Sequence, residues 1–172
     1  MDAAPVTRAF LAGLLSGMSA RVNVVNALLI AEERGIAVTD SFKRGGGAAV
    51  ASMSPAVRTR VKTVGGEHTV AGALFGPEGD GRVTEIDGFR IEAIPSGNML
   101  VMRNRDVPGV IGRVGTCLGE HGVNISRFHL GRRERGGEAM AVIETDAPLA
   151  EDALAELRSF PEVTSARRIQ LN

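Results

Sequence analysis

Residues 98–130 read NMLVMRNRDVPGVIGRVGTCLGEHGVNISRFHL, and the fold turns on this stretch. Met99 to Met102 is a short apolar run. A polar turn from Arg103 to Asp106 follows, then Val107-Pro108-Gly109, an amphipathic run to Gly122, and a second strand-like segment headed by Asn124. The order is strand, loop, helix, strand. Val110, Ile111, Val114, Cys117 and Leu118 recur at helical spacing and predict the inward face. Pro108 suits a first helical turn, where a missing N–H costs nothing. Asp106 stands where an N-cap or first-turn carboxylate belongs. Gly122 stands where a left-handed residue ends a helix. Gly109, Gly112, Gly115 and Gly119 each oppose the helix by about 1 kcal/mol relative to Ala. Their presence points to close packing on a sheet or to backbone left open for a ligand.

Downstream, Gly131 to Gly137 is a charged turn and Ala139 to Glu144 a strand. Pro148 precedes a helix over Leu149 to Arg158, with Glu151 and Asp152 early and Arg158 late, as the helix dipole favours. Phe160-Pro161 breaks it, and Val163 to Ile169 is a last strand. Residues 98–172 thus read β-α-β-β-α-β, the ferredoxin-like order.

Upstream, Pro5 to Met18 predicts a helix with Phe10, Leu11, Leu14, Leu15 and Met18 in one stripe. Asn23 to Arg34 predicts another, with Val25, Leu28 and Leu29 inward and Gly35 as its stop. Ile36 to Val38 reads as a short strand, and Asp40 to Ser54 as a glycine-rich loop. Val57 to Thr63 then alternates apolar or Thr with Arg58, Arg60 and Lys62. It pairs in a hairpin with His68 to Phe75 about Gly65-Gly66, and a second hairpin joins Val83–Ile86 to Phe89–Ile94 about Asp87-Gly88. Pro95-Ser96-Gly97 is a linker. The expected class is α+β: a domain over 1–97 with two helices and a mainly antiparallel sheet, then the ferredoxin-like domain over 98–172.

Composition excludes several functions. Lys+Arg and Asp+Glu balance at 20 each, without the basic excess of a nucleic-acid or membrane-surface protein. Trp and Tyr are absent and Phe numbers six, so base stacking is not a theme. The lone cysteine, Cys117, forms no internal disulfide and, on the apolar helix face, reads as a buried thiol in a reducing compartment. No stretch reads as a membrane span or a signal peptide, which sets a cytoplasmic expectation.

Among possible sites, Gly45-Gly46-Gly47 after Lys43-Arg44 lacks the rest of a phosphate-loop pattern and reads as a flexible loop. His68, His121 and His129 fall in three elements without metal-ligand spacing, so no metal is expected. Asn124-Ile125-Ser126 is a formal glycosylation sequon without a secretion signal. Arg58, Arg60 and Lys62 read as a solvated face, with an anion site including Arg82 or Arg90 the lesser reading. One constellation is left: Asn104, Asp106, the Gly109 and Val110 amides, and Asn124. A free amino acid needs donors for its carboxylate, which a helix N-terminus supplies. Its ammonium needs acceptors, such as Asp106 and an asparagine carbonyl, and a small hydroxyl needs one more amide. The chain order suggests that the helix returns 124 to the neighbourhood of 104–110. Spacing alone weighs this site evenly against a mere cap at Asp106 and a mere strand start at Asn124.

NRDVPGVIGRVGTCLGEHGVNI (104–125) resembles the opening of an ACT domain, the small-molecule regulatory module, and in particular the one that ends bacterial D-3-phosphoglycerate dehydrogenases. VNVVNALLIAEERGI (22–36), GALFG (72–76) and RVTEIDGFRIEAIPSGNML (82–100) resemble the intervening, allosteric substrate-binding domain of the long forms. The resemblance covers nearly the whole chain and sets its start inside the intervening domain, without that domain's first strand. It implies an L-serine site at an ACT–ACT interface of a homo-oligomer, here Asn104, Asp106 and Asn124 with the Pro108-Gly109-Val110 backbone. Family members vary at the first of these positions, His or Tyr among them, and here it is Asn104. It also implies an anion effect in the intervening domain, near Arg82, although Phe89 and Ile94 replace other basic positions.

The resemblance further implies a parent enzyme that uses NAD, whereas this chain carries neither GxGxxG nor a catalytic His/Arg/Glu set, so no cofactor and no turnover are expected of it alone. The functional expectation is a regulatory region that binds L-serine as feedback effector and mediates oligomerisation. The alternatives are an oligomerisation module without ligand, or a module of another amino-acid enzyme such as an iron–sulfur L-serine dehydratase. A single cysteine argues against the chain supplying the cluster ligands of the latter.

Overall fold

Gly35 and Gly122 end their helices in the same way, and each does so as expected. In the computed structural model, which describes residues 4–41 and 56–171, Gly35 has φ +71° and Gly122 φ +68°. The amide after each glycine reaches back to the third-last helical carbonyl, Ile36 to Ala31 at 2.9 Å and Val123 to Leu118 at 2.8 Å. These are Schellman closures, which need a residue free to take positive φ.

The chain forms two compact units, residues 1–51 and 52–172. In the first, α1 (Ala4–Ser16) packs on α2 (Ala27–Glu33) through Leu11, Leu15, Ala27 and Ala31. Three expectations fail here. Leu14 and Met18 face out, as do Val25, Leu28 and Leu29, with Val25 84% exposed. The helices meet through small Ala27 and Ala31, which share a face at i, i+4, so the bulkier stripe turns away. Asn23 to Asn26 is not helical: Asn23 Oδ1 accepts from the Val25 and Asn26 amides at 2.9 and 3.1 Å, and Asn26 Oδ1 from the Asn23 amide at 2.8 Å. Asn side chains compete for backbone in this manner. Ile36 and Val38 form no strand but pack back on the helix pair. The glycine-rich segment with Gly45 to Gly47 lies outside the described residues.

The second unit starts with a four-stranded antiparallel meander: β1 (Ala56–Thr63), β2 (Gly66–Phe75), β3 (Asp80–Ile86) and β4 (Phe89–Ala93). Asp87 (φ +48°) and Gly88 (φ +83°) both take positive φ, the two-residue turn that suits hairpin twist. The first hairpin turns one residue earlier than expected, since Gly66 already pairs with Thr63.

Next come β5 (Gly97–Arg105), α3 (Val110–Glu120), β6 (Ile125–Arg132), β7 (Glu138–Thr145), α4 (Glu151–Ser159) and β8 (Val163–Leu171). The second sheet has the order β6-β7-β5-β8, every pair antiparallel, which is the ferredoxin-like arrangement. The α+β class therefore holds. Leu100, Met102, Ala141 and Ile143 meet Val114, Leu118, Leu154 and Leu157 in one core. On the other sheet face Phe89, Ile91 and Ala93 of β4 pack on Met99, Met140 and Val142. Central β7 is buried on both faces, so it reads as a continuous apolar run. The strands β4 and β6 cross so closely that a Cβ on Gly131 would lie 2.2 Å from the Arg90 carbonyl oxygen. Ile111 faces out at 51% exposure, contrary to the helical stripe expected.

Candidate functional site

The end of β5 presents the first of the expected site residues. Asn104 is paired with Ala139 on β7 and Val163 on β8, and only 4% of it is exposed. Its Nδ2 donates to the Arg105 carbonyl at 2.8 Å, while its buried Oδ1 has no partner among the described residues. Buried acceptors are rarely left this way.

Asp106 follows directly. It does not cap α3. Its amide donates to Gly137 at 2.8 Å, and its carboxylate accepts from the Gly136 amide and from Arg132, both at 3.1 Å. The Gly136 N–H first, then Arg132, hold its carboxyl below the usual carboxylate range. The cap of α3 is instead Gly109, at φ +90°, with no side-chain hydrogen bond and no acid in the first turn. Pro108 thus precedes the helix rather than opening it. The first amides of α3 keep the donor capacity and positive dipole of an uncapped N-terminus. Val110 is buried in the core and fixes where that terminus sits.

Asn124 lies elsewhere. Its Nδ2 donates to Asp146 Oδ2 at 2.6 Å, and its carbonyl accepts from the Asp146 amide at 3.1 Å. Asp106 is thus tied to Gly137, just before β7, and Asn124 to Asp146, just after it. The nine residue steps from Gly137 to Asp146, at about 3.3 Å each, set the two about 30 Å apart. The helix carries the chain back the length of the sheet, so β6 starts at the far end. The expectation that one chain gathers 104–110 and 124 is therefore corrected: Asn104 and Asp106, with the loop leading into α3, stand at the Glu138 end of β7, and Asn124 stands at its Thr145 end. The partners of Asp106 are Arg132, the last residue of β6 and not part of the turn expected over 131–137, and Gly136 in the β6–β7 turn; sequence order alone did not link either to it.

The basic face of the first sheet is neutralised internally. Arg58 grips Glu85 with both Nη atoms at 2.5 and 2.9 Å, and Arg60 and Lys62 flank Glu67 at 3.2 and 3.7 Å. Arg82 donates to Glu92 at 2.5 Å and lies 5.4 Å from the Phe75 ring centre. Arg82 is thus already engaged by a carboxylate, and Phe89 is wholly buried beneath the sheet. The histidines have carboxylates beside them, which sequence did not suggest: His68 with Asp87 at 3.0 Å, His121 with Glu156 at 2.9 Å, His129 with Glu144 at 3.5 Å. Cys117 is buried, as expected, and burial followed by Glu156 pushes its thiol up to about 11. Among the described residues no helix is long and apolar enough to cross a membrane.

Comparison with known proteins agrees with this architecture. The D-3-phosphoglycerate dehydrogenase intervening domain matches residues 1–87, and the ACT domain matches residues 98–162. The chain is similar to the D-3-phosphoglycerate dehydrogenase of Synechocystis, 35% identical over 168 residues, covering 97% of this chain and 29% of that one. It is 33% identical to the Bacillus subtilis enzyme over 167 residues, covering 96% and 31%. It is 30% identical to the Methanocaldococcus jannaschii enzyme over 167 residues, covering 96% and 30%. The chain thus spans about three-tenths of the length of these relatives.

Proposed function

The chain belongs to the D-3-phosphoglycerate dehydrogenase family as its regulatory region, and from that premise we propose that it binds L-serine as a feedback effector between two copies of its ACT domain. The intervening portion runs to about residue 97 and the ACT portion from 98. The activity regulated is the NAD-dependent oxidation of phosphoglycerate, carried out by a catalytic part that these residues do not include.

The observation that carries this reading is the separation of Asp106 from Asn124 along β7. A ligand that uses both needs two chains. Strand β6 is an edge of its sheet, with β7 on one side only. Antiparallel pairing of β6 with β6 of a second copy sets the Asn124 end of one against the Arg132 end of the other. Arg132 is the residue that holds Asp106. Leu130 on this edge and Val107 beside the loop are both 41% exposed, the apolar surface such pairing would cover. In each site the amides of α3 take the serine carboxylate, Asp106 with the Asn104 carbonyl takes its ammonium, and Asn124 of the second copy takes its hydroxyl.

Mixing two defective variants tests this. Asp106→Ala and Asn124→Ala chains each lose L-serine binding alone. When mixed and allowed to exchange, every heterodimer regains one intact site and carries one doubly broken one, so calorimetry recovers about one site per heterodimer. Failure of the mixture to bind, when the unaltered chain does bind, places both residues in one chain's site or in none.

A second reading has its own observation. Asp106 is already satisfied by Arg132 and Gly136. In that reading the ACT portion pairs through β6 but takes no ligand, and dimerisation without any response to L-serine would favour it.

A further inference from the structure

The seam between α3 and α4 holds a cluster that the effector reading does not use. Cys117 on α3 and His121, the residue that caps its C-terminus, are four apart; Asp152 and Glu156 are four apart on α4 and share a face. The Cys117 Sγ, a ring nitrogen of His121 and a carboxylate oxygen of Glu156 lie within 4.8 Å of one another. Glu156 faces His121 Nε2 at 2.9 Å, with the Cys117 thiol close beside the same carboxylate. On the other side of the ring, Asp152 Oδ2 is 3.8 Å from Nδ1. One thiol, one imidazole nitrogen and one carboxylate therefore converge on a point where a divalent cation can sit.

We propose that Cys117, His121 and Glu156 bind a first-row divalent metal ion of the zinc class, with Asp152 orienting the imidazole through Nδ1. The donor set is one thiolate, one imidazole and one carboxylate, and zinc accepts all three. A carboxylate behind a ligating histidine fixes the tautomer and raises the basicity of the nitrogen that binds. Three protein donors leave one position open, and a cavity lined by Gly112, Thr116, Cys117 and Glu156 gives it access from solvent. On binding, Cys117 releases its S–H proton to water, and His121 binds as the neutral imidazole through Nε2 with its single proton on Nδ1, toward Asp152; an imidazolium would first release its Nε2 proton to water. The ion then joins α3 to α4, the two helices of the ACT layer. Zinc-dependent clamping here is independent of any amino acid bound at Asp106.

The test treats the purified chain with a chelator, removes it, and titrates with Co²⁺. Thiolate-to-cobalt charge-transfer absorption should rise, saturate at about one ion per chain, and disappear when Zn²⁺ is added. Cys117→Ala should abolish the band. His121→Ala and Glu156→Gln should weaken Co²⁺ binding at least tenfold, and Asp152→Asn about tenfold. Circular dichroism checks that each variant is folded; Glu156 is exposed, so Glu156→Gln remains informative if Cys117→Ala does not fold. A chain with no charge-transfer band at millimolar Co²⁺, or a band unchanged in Glu156→Gln, overturns the proposal.

Discussion

Arg132 donates to Asp106 at 3.1 Å, and through that bond the end of β6, where the charged β6–β7 turn begins, is latched to the loop after β5. The Gly136 amide reinforces the latch on the same carboxylate. In the proposed serine site the ligand ammonium would meet a carboxylate already paired with Arg132, and Arg132 is the group it would displace or share. Asp106→Ala is expected to remove L-serine binding, whereas Arg132→Ala leaves binding in place. Calorimetric titration of the two variants checks this, and an unaltered response in Asp106→Ala contradicts it.

The same turn is tied at its other side to the first sheet. Arg133 donates to the Asp87 carbonyl and stacks 4.5 Å from the Phe89 ring centre. Arg103 of β5 pairs with the Asp87 carboxylate, which also accepts from the Thr69 amide at 2.7 Å and faces His68 at 3.0 Å. Burial pushes the Asp87 carboxyl up, but His68, Thr69 and Arg103 together outweigh it and hold it below its ordinary value. A depressed carboxyl stabilises the fold above its unfolded pKa, and the contribution fades as pH falls through the folded value. Asp87→Asn keeps the turn, since Asn tolerates positive φ, and loses the charge-assisted bonds. We expect it to cost about 2 kcal/mol at neutral pH and little in strong acid, measured by urea unfolding.

Among the described glycines, Gly131 leaves the least room for a side chain. An added Cβ would strike backbone, not a movable side chain. Gly131→Ala should destabilise by about 3 kcal/mol, the upper range for overpacking, in denaturant melts. A change below about 0.5 kcal/mol would show that β4 moves off β6 freely.

His121 provides a pH dependence of opposite sign to that of Asp87. Its hydrogen bond to Glu156 is the main cause raising its pKa, with Asp152 adding to it. A raised imidazole pKa gives stability that is complete below the unfolded value, near 6.5, and is lost as pH rises through the folded value. In metal-free buffer, the unfolding midpoint of the intact chain should fall between about pH 5 and about pH 9 more than that of Glu156→Gln. Identical profiles would show that the pair does not act on stability.

Much of this architecture was legible because it rests on local chemistry. Gly35, Gly122 and the Asp87-Gly88 pair each require positive φ, and that requirement is written in the residue type. The βαββαβ order follows from period and breakers. What was not legible depends on partners far along the chain. Alternation along α3 does not tell that Ile111 turns outward, nor does the Val25, Leu28 and Leu29 stripe tell that α2 meets α1 through alanines. The tie of Asp106 to a turn 26 and 30 residues later is a sheet-register fact. So is the distance to Asn124: an antiparallel helix between parallel strands returns the chain to the opposite end of the sheet, away from Asp106.

The most direct measurement is thermal unfolding of this chain with L-serine, with D-serine as control. A ligand bound only by the folded state at about 100 times its dissociation constant adds about 2.7 kcal/mol. An upward shift with L-serine alone, absent from Asp106→Ala and from Asn124→Ala, is the predicted result. No shift with millimolar L-serine, or equal shifts with both enantiomers, would contradict the effector reading.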